Sequence, residues 1–243
     1  MTTKAKLKRK LDTKLGKNKL VVDKQKRKIE RVNDLGYYYS SNLITNPDVQ
    51  RLVIEKGEVL DIFFENQKID DVELQRLVIE RGEHLDVFYE YQKIDNLSVQ
   101  KLAVKKGLDL DSFFWHQKIT NPKLQQEIIL KGKHLFGFYE KQNIVDVETQ
   151  KLAVMSDMYR DDFFTTQKIV DLELQRLVIE RGLDLCYFYE NQKITNPNIQ
   201  RLVIEKGEHL EIFFKNQKIV DLELQRLVIE RGKHLLAFTK NKK

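Results

Sequence analysis

Asn-Pro-Asn-Ile-Gln-Arg-Leu-Val-Ile-Glu-Lys-Gly, residues 196–207, reads as one helix with both ends marked. Asn196 has an acceptor side chain suited to the free N–H groups of a helix start. Pro197 follows at the first helical position, where a missing N–H costs no hydrogen bond and the fixed φ already suits the helix. Gly207 comes about ten residues later, where a left-handed turn lets the chain leave the helix. Leu202, Val203 and Ile204 between them predict an apolar arc wide enough to touch both a partner helix and a neighbouring unit.

The phrase recurs. Gln50, Gln75, Gln100, Gln125, Gln150, Gln175, Gln200 and Gln225 stand at strict intervals of 25, each opening a variant of Gln-Arg-Leu-Val-Ile-Glu-Arg-Gly. Asn46, Asp71, Asn121, Asp146, Asp171 and Asp221 repeat the cap, and Pro47 and Pro122 repeat the proline. A period without insertion or deletion means that each unit is one supersecondary element, which buries its apolar face only against its neighbours. The rest of the unit places Leu210 with Phe213 and Phe214 at three- and four-residue spacing, predicting a short second helix, α or partly 3₁₀. Ile69, Ile94, Ile119, Ile144, Ile169, Ile194 and Ile219 recur in the connector and are expected to plug the core between units. The expected fold is all-α, a right-handed α-solenoid of 25-residue two-helix repeats.

Residues 42–243 hold eight such repeats, with a degenerate capping repeat at 21–41 and a basic arm at 1–20. In the capping repeat Arg27 and Lys28 replace Leu52 and Val53, which are expected to be buried, so its outer face suits water. At the other end Thr239 replaces the second aromatic and the chain closes in Lys-Asn-Lys-Lys, a polar cap. One unit departs from the pattern: Ser156-Asp157 replaces the glycine and Arg160 the leucine of the second helix. A bend in the stack is expected there, with Met158 or Tyr159 as candidates to refill the leucine site.

Apolar runs are far shorter than a membrane span, and the lysine-rich start lacks the apolar stretch of a secretory signal. A single cysteine, Cys186, forbids an internal disulfide, suits a reducing compartment and is read as packing. These features predict a cytoplasmic, intracellular protein. Residues 1–36 hold thirteen Lys and Arg against four Asp and Glu, so the array itself is nearly neutral and the net +6 belongs to the arm. Lys8, Arg9 and Lys10, with Lys24, Lys26, Arg27 and Lys28, form the candidate polyanion-binding set. Leu7, Leu11 and Leu15 lie four apart, as an amphipathic helix would place them.

Within the array, the Arg51 to Arg226 and Lys68 to Lys218 columns have a spacing that could track phosphates, but acidic rungs such as Glu55 and Glu65 make cross-unit ion pairs the simpler account. The columns from Gln50 to Gln225 and from Gln67 to Gln217 are read as hydrogen-bonded ladders that satisfy loop backbone. His84, His134, His209 and His234 share a column, but equivalent atoms about 10 Å apart cannot share a zinc ion that needs ligands at about 2 Å. No metal site is assigned, no cofactor is implied, and no phosphate loop or catalytic motif is present. Positions that vary between repeats are the free ones in an array. They are the pair after the glycine, with His84, His134 and Tyr159, and the end of the second helix, with Tyr91, Trp115, His116 and Lys141. These seven are the candidate partner-binding residues, suited to a protein hot spot or a stacked base.

Asn-Pro-Asp-Val-Gln-Arg-Leu-Val-Ile-Glu-Lys-Gly at 46–57 resembles the first helix of leucine-rich repeat variant and HEAT-like α-solenoid proteins, where an Asp/Asn-Pro start leads into a Val-Arg-x-x-Val-Ala phrase. The likeness covers residues 42–239 by period and pattern; the paired aromatics of the second helix depart from it. It implies a curved superhelix with an extended concave surface that binds protein or nucleic acid, and it transfers no catalytic residue. The expected function is therefore a non-enzymatic scaffold for a protein partner. Nucleic-acid binding through the arm and cationic columns is the alternative, and a HEAT-like DNA glycosylase the remote third.

Overall fold

The computed structural model of the protein describes residues 19–156, 158–232 and 234–240, and every regular element among them is an α-helix. The chain divides into two compact units, Met1–Lys118 and Ile119–Lys243. The first unit opens with α1, helical over 19–31. Long A helices α3 (Pro47–Lys56), α5 (Val72–Arg81) and α7 (Leu97–Lys106) then alternate with short B helices α2 (Leu35–Ser41), α4 (Leu60–Asn66), α6 (Leu85–Tyr91) and α8 (Leu110–His116). In the second unit the A helices are α9 (Pro122–Lys131), α11 (Val147–Met155), α13 (Leu172–Arg181), α15 (Pro197–Lys206) and α17 (Leu222–Arg231). Its B helices are α10 (Leu135–Lys141), α12 (Arg160–Thr166), α14 (Leu185–Asn191), α16 (Leu210–Asn216) and α18 (Leu235–Lys240). In each unit A helices stack on A helices and B on B, which is α-solenoid packing.

The local chemistry acts as the sequence suggests. Asn46 accepts from the N–H groups of Asp48 and Val49, Asp71 from that of Leu74, and Asn196 from those of Asn198 and Ile199. Asn96 caps α7 in the same way without a following proline. Gly57 closes α3 at φ 75°, and a Cβ there would overlap the Arg81 guanidinium of the next repeat. The B helices are α-helical throughout rather than 3₁₀.

The core is built on the B row. In the first unit the second ring of each B helix meets the first ring of the next edge to face, with centroids 5.2 Å apart for Tyr39 and Phe63, 5.1 Å for Phe64 and Phe88, and 5.0 Å for Tyr89 and Phe113. In the second unit Tyr139 with Phe163, Phe164 with Phe188 and Tyr189 with Phe213 lie at 5.2, 5.2 and 5.3 Å. The connector isoleucines are buried as expected. Of the A-helix triplet, only Val53 and Ile54 are fully buried and Leu52 is half-buried, a correction to the expectation that Leu52 is interior. At the N-terminal end Arg27 and Lys28 are exposed while Ile29 is buried.

Glutamine side chains join the repeats through backbone. Gln92 Oε1 accepts from the Ile69 N–H at 2.8 Å, and its Nε2 donates to the carbonyls of Phe64 and Gln67, at the end of the preceding B helix and in the connector after it. Gln192 does the same in the second unit, accepting from Ile169 N–H and donating to Phe164 and Gln167. The other column works within and forward: Gln75 Nε2 donates to Ile69 at 2.9 Å and Lys93 at 3.0 Å, and Gln200 Nε2 to Ile194 and Lys218. These side chains are buried, so each bond is made in a low-dielectric interior where an unpaired backbone group is costly.

The irregular repeat keeps this packing. Ring spacings on both sides of α12 match the others, so the column runs through it without a step. Met158 and Tyr159 are both exposed, and neither refills the leucine site. Arg160 stays in its own position: its Nε donates to the Val154 carbonyl at 2.7 Å and its guanidinium pairs with Asp184 of the next repeat at 2.8 Å. Ser156 ends α11 in extended conformation, and Arg160 supplies a donor where α11 leaves carbonyls open.

Replacing Gln192 with Leu is expected to cost about 3 kcal/mol or more, since one N–H and two carbonyls lose their partner in a buried site; a Tm change of under a degree would show that the ladder is dispensable. The hydroxyls of Tyr39, Tyr89, Tyr139 and Tyr189 are buried with no hydrogen-bond partner among the described residues, in a column that elsewhere holds Phe64, Phe114, Phe164 and Phe214. Burial raises all four pKa values, that of Tyr39 from 10.0 to about 12. The folded state therefore holds its protons longer than the unfolded chain, and the stability this contributes is present below pH 10 and lost as pH climbs through that range. Tyr139→Phe should match the parent at pH 7 and outlast it in alkaline unfolding, whereas a loss at pH 7 would reveal a bond to the hydroxyl.

Candidate functional site

A seven-residue B helix with its leucine and aromatic pair turned inward leaves its second, sixth and seventh positions outside, and its third at the edge. The outward positions are where the repeats differ. Tyr91 ends α6 and Trp115 with His116 ends α8, all exposed on the first unit. Lys141 ends α10 in the second unit, 3.2 Å from Glu140.

His84, His134 and Tyr159 lie elsewhere. Each precedes a B helix, at the opposite end from Tyr91, Trp115 and Lys141, about 10 Å away along a seven-residue helix. The seven candidates thus stand at the two ends of the B helices, His84, Tyr91, Trp115 and His116 in the first unit and His134, Lys141 and Tyr159 in the second. The backbone explains the leading end. Val59, His84, Asp109, His134, Tyr159, Asp184, His209 and His234 all have φ between 43° and 56°, in the left-handed region. Asp and His tolerate that region better than most residues, and Val is among the worst. The histidine column is therefore a backbone requirement, met differently from repeat to repeat. Among the described residues no three His, Cys, Asp or Glu side chains converge on one point.

The B row also shows residues that the sequence reading missed. Phe136 and Tyr187 are exposed by 52% and 47%, so with Tyr91, Trp115 and Tyr159 each B helix or its cap from α6 to α14 presents a large aromatic to solvent. Their signal was position: both stand on the outward side of a helix whose inward aromatics are already accounted for. In the first unit this row is acidic. Asp61, Glu65, Asp86 and Glu90 lie on α4 and α6, and α4, α6 and α8 contain no lysine or arginine.

Around the irregular repeat, Val145 and Val170 are exposed by 73% and 79%, as Val220 is further on, at positions that hold Thr45, Asp70, Asp95, Thr120 and Thr195 in the other repeats. Two grooves open there in the second unit. One, of about 500 Å³, lies between α11 and α13 and is lined by Lys151, Met155, Leu177 and Arg181. The other, of about 420 Å³, is lined by Val145, Thr166, Lys168 and Val170.

The cationic columns are engaged otherwise than expected. Arg76 and Arg176 sit 4.0 Å from Glu73 and Glu173 of their own helices, and Lys68 and Lys93 pair with Asp70 and Asp95 two residues on. Arg201 with Glu223, at 3.6 Å, is a cross-repeat pair, so most of the described pairing in these columns is local. Repeats are instead bridged by the last residue of the A helix. Arg81 donates to the Glu55 carbonyl at 3.0 Å, Lys206 to Ile179 and Glu180, and Arg231 to Ile204 and Glu205. Each places a cation on the negative end of the preceding A helix.

Of the candidate polyanion residues, Lys8, Arg9 and Lys10 lie outside the described residues. Lys24, Lys26, Arg27 and Lys28 lie on α1, with the Lys28 ammonium 5.0 Å from the Tyr38 ring centre. Cys186 is half-buried with Sγ 3.0 Å from His209 Nδ1, a contact across repeats. No helix among the described residues is long and apolar enough to cross a membrane. Comparison with protein-family models, curated proteins and solved structures gives no match to the chain.

Val59→Gly is expected to raise stability by about 1 kcal/mol, because glycine adopts the left-handed region without the Cβ clash that valine suffers there. A lower Tm would mean that the packing of the valine outweighs the strain.

Proposed function

We propose that this protein is a non-enzymatic, HEAT-like repeat scaffold whose exposed row of B helices binds a protein partner. The supporting observation is that B helices of each unit present large aromatics to solvent, Tyr91 and Trp115 in the first and Phe136 and Tyr187 in the second, on positions that vary while the inward ones recur. Aromatic side chains with one face in water and a rigid helix behind them are the usual anchors of protein interfaces. The first unit favours protein over nucleic acid on this row, since Asp61, Glu65, Asp86 and Glu90 would repel phosphates approaching Tyr91 and Trp115. A reducing intracellular compartment suits its single cysteine.

The basic segment before Tyr37 supports a second reading, nucleic-acid binding, which salt and nuclease separate from the first. The protein immobilised as bait should retain its partner after nuclease treatment, with affinity changing little between low and moderate salt. Trp115→Ala should weaken that retention about tenfold, and deletion of residues 1–18 should not. A steep salt dependence, loss on nuclease treatment and indifference to Trp115→Ala would instead assign the function to the arm.

A further inference from the structure

The irregular repeat leaves cations without their usual partners. At the end of α13, Arg181 occupies the place from which Lys206 and Arg231 reach the carbonyls of the preceding A helix. Here the Val154 carbonyl is already held by Arg160, and the Arg181 guanidinium lies instead 3.7 Å from Met155 Sδ. On the connector before α13, Lys168 repeats the position of Lys68 and Lys93, which pair with Asp70 and Asp95. Val170 stands where that aspartate would be. Lys151 of α11 lines the same join. Among the described residues no carboxylate pairs with Lys151, Lys168 or Arg181.

These cations stand around the two grooves of the second unit, which adjoin, since Val147 and Asp171 line both. Their lining is largely aliphatic: Leu174 is buried and Leu177 half-buried, while Val145, Val147, Met155 and Val170 are exposed. Three acids share the rim. Asp171 turns its carboxylate to the Leu174 N–H as the cap of α13, and Glu173 sits 4.0 Å from Arg176, which leaves Glu148 against three cations. The lining also departs from the array in the direction of apolar surface, with Met155 where Glu55, Glu80, Glu180 and Glu205 recur.

We propose that the groove between α11 and α13 is a docking site for an acidic amphipathic helix of a protein partner. The apolar stripe of such a helix would fill the aliphatic floor. Carboxylates flanking the stripe would meet Lys151 on one wall and Lys168 and Arg181 at the two ends of the other. α13 has ten residues, so about three turns of a docked helix, some 15 Å, cover its length. A nucleic acid offers phosphates to the cations and nothing to Met155, Leu177 and Val170, and a layer of lipid headgroups does not reach into a recessed floor. None of these residues belongs to the outward aromatics of the B row, so the proposal stands whether or not that row binds protein.

The probe is a fluorescent helical peptide of about eighteen residues, with leucines at three- and four-residue spacing, glutamates flanking them and alanine elsewhere. It is titrated with the full chain and read by anisotropy. Saturable binding is expected, and it should be lost when lysine replaces the glutamates or serine the leucines. Met155→Glu and Val170→Asp each install a residue that other repeats carry at that place, such as Glu205 and Asp70, so both chains should melt as the parent does. Each should bind the peptide about tenfold more weakly, and Arg181→Ala severalfold. Were either melt to shift, Arg181→Ala, at an exposed helix end, carries the test. Val220→Asp, the same change two repeats further on, should leave binding unchanged. Equal binding by the parent and the groove variants, equal binding of the serine peptide, or no saturable binding overturns the proposal. Retention of RNA or of phosphatidylserine vesicles that is lost in Val170→Asp, with the peptide unbound, would assign the groove to phosphates and overturn the choice of partner.

Discussion

Two glutamines per repeat set the terms for everything else in this protein. A tandem array must leave a short connector between every pair of helices, and each connector carries backbone groups that enter the core beside the buried isoleucine. Primary amides solve this because one side chain both accepts and donates. Gln92 closes an N–H and two carbonyls of its neighbour, a combination that a carboxylate, a hydroxyl or an ammonium cannot match at one position. The aromatic column supplies apolar burial, but the glutamine fixes how far one repeat sits along the next. The strict period follows: one inserted residue would carry the amide away from all three of its partners.

With spacing so fixed, variation is confined to what points outward. Two kinds of outward position behave differently. Ends of B helices accept Tyr91, Trp115, His116 or Lys141 without backbone consequence. The residue before each B helix must hold a left-handed conformation whatever its side chain, so it is variable in chemistry and constrained in shape. The irregular repeat shows how far substitution reaches inward: a leucine gives way to Arg160, which stays because it finds a helix-end carbonyl and Asp184.

Much of the fold was legible because each signal has a local cause. Asn196, Pro197 and Gly207 mark helix ends by effects confined to one turn, and the period carries that reading through the chain. The glutamine ladders were legible because a polar residue recurring without exception needs a recurring partner. The left-handed column was not, since Val59, His84, Asp109 and Tyr159 share no chemistry and the demand comes from the tight link between Gly57 and Leu60. The bridging cations were missed because a lysine at a helix end already has a sufficient local reason to be there, while its acceptors belong to another repeat. Among site residues, Trp115 stood out by replacing a charge. Phe136 did not, because it sits among Leu135, Phe138 and Tyr139 and reads as one more core residue.

The glutamines address main-chain atoms, which every repeat possesses regardless of its composition. Adjacent repeats therefore fit together without a matched pair of side chains at this join, although pairs such as Arg160 with Asp184 add a match elsewhere. Such a chain can evolve like text set in movable type: whole 25-residue blocks can be copied, dropped or reordered while the joints remain valid. Surface chemistry can then be composed rung by rung, with the order of blocks deciding which aromatics and charges become neighbours.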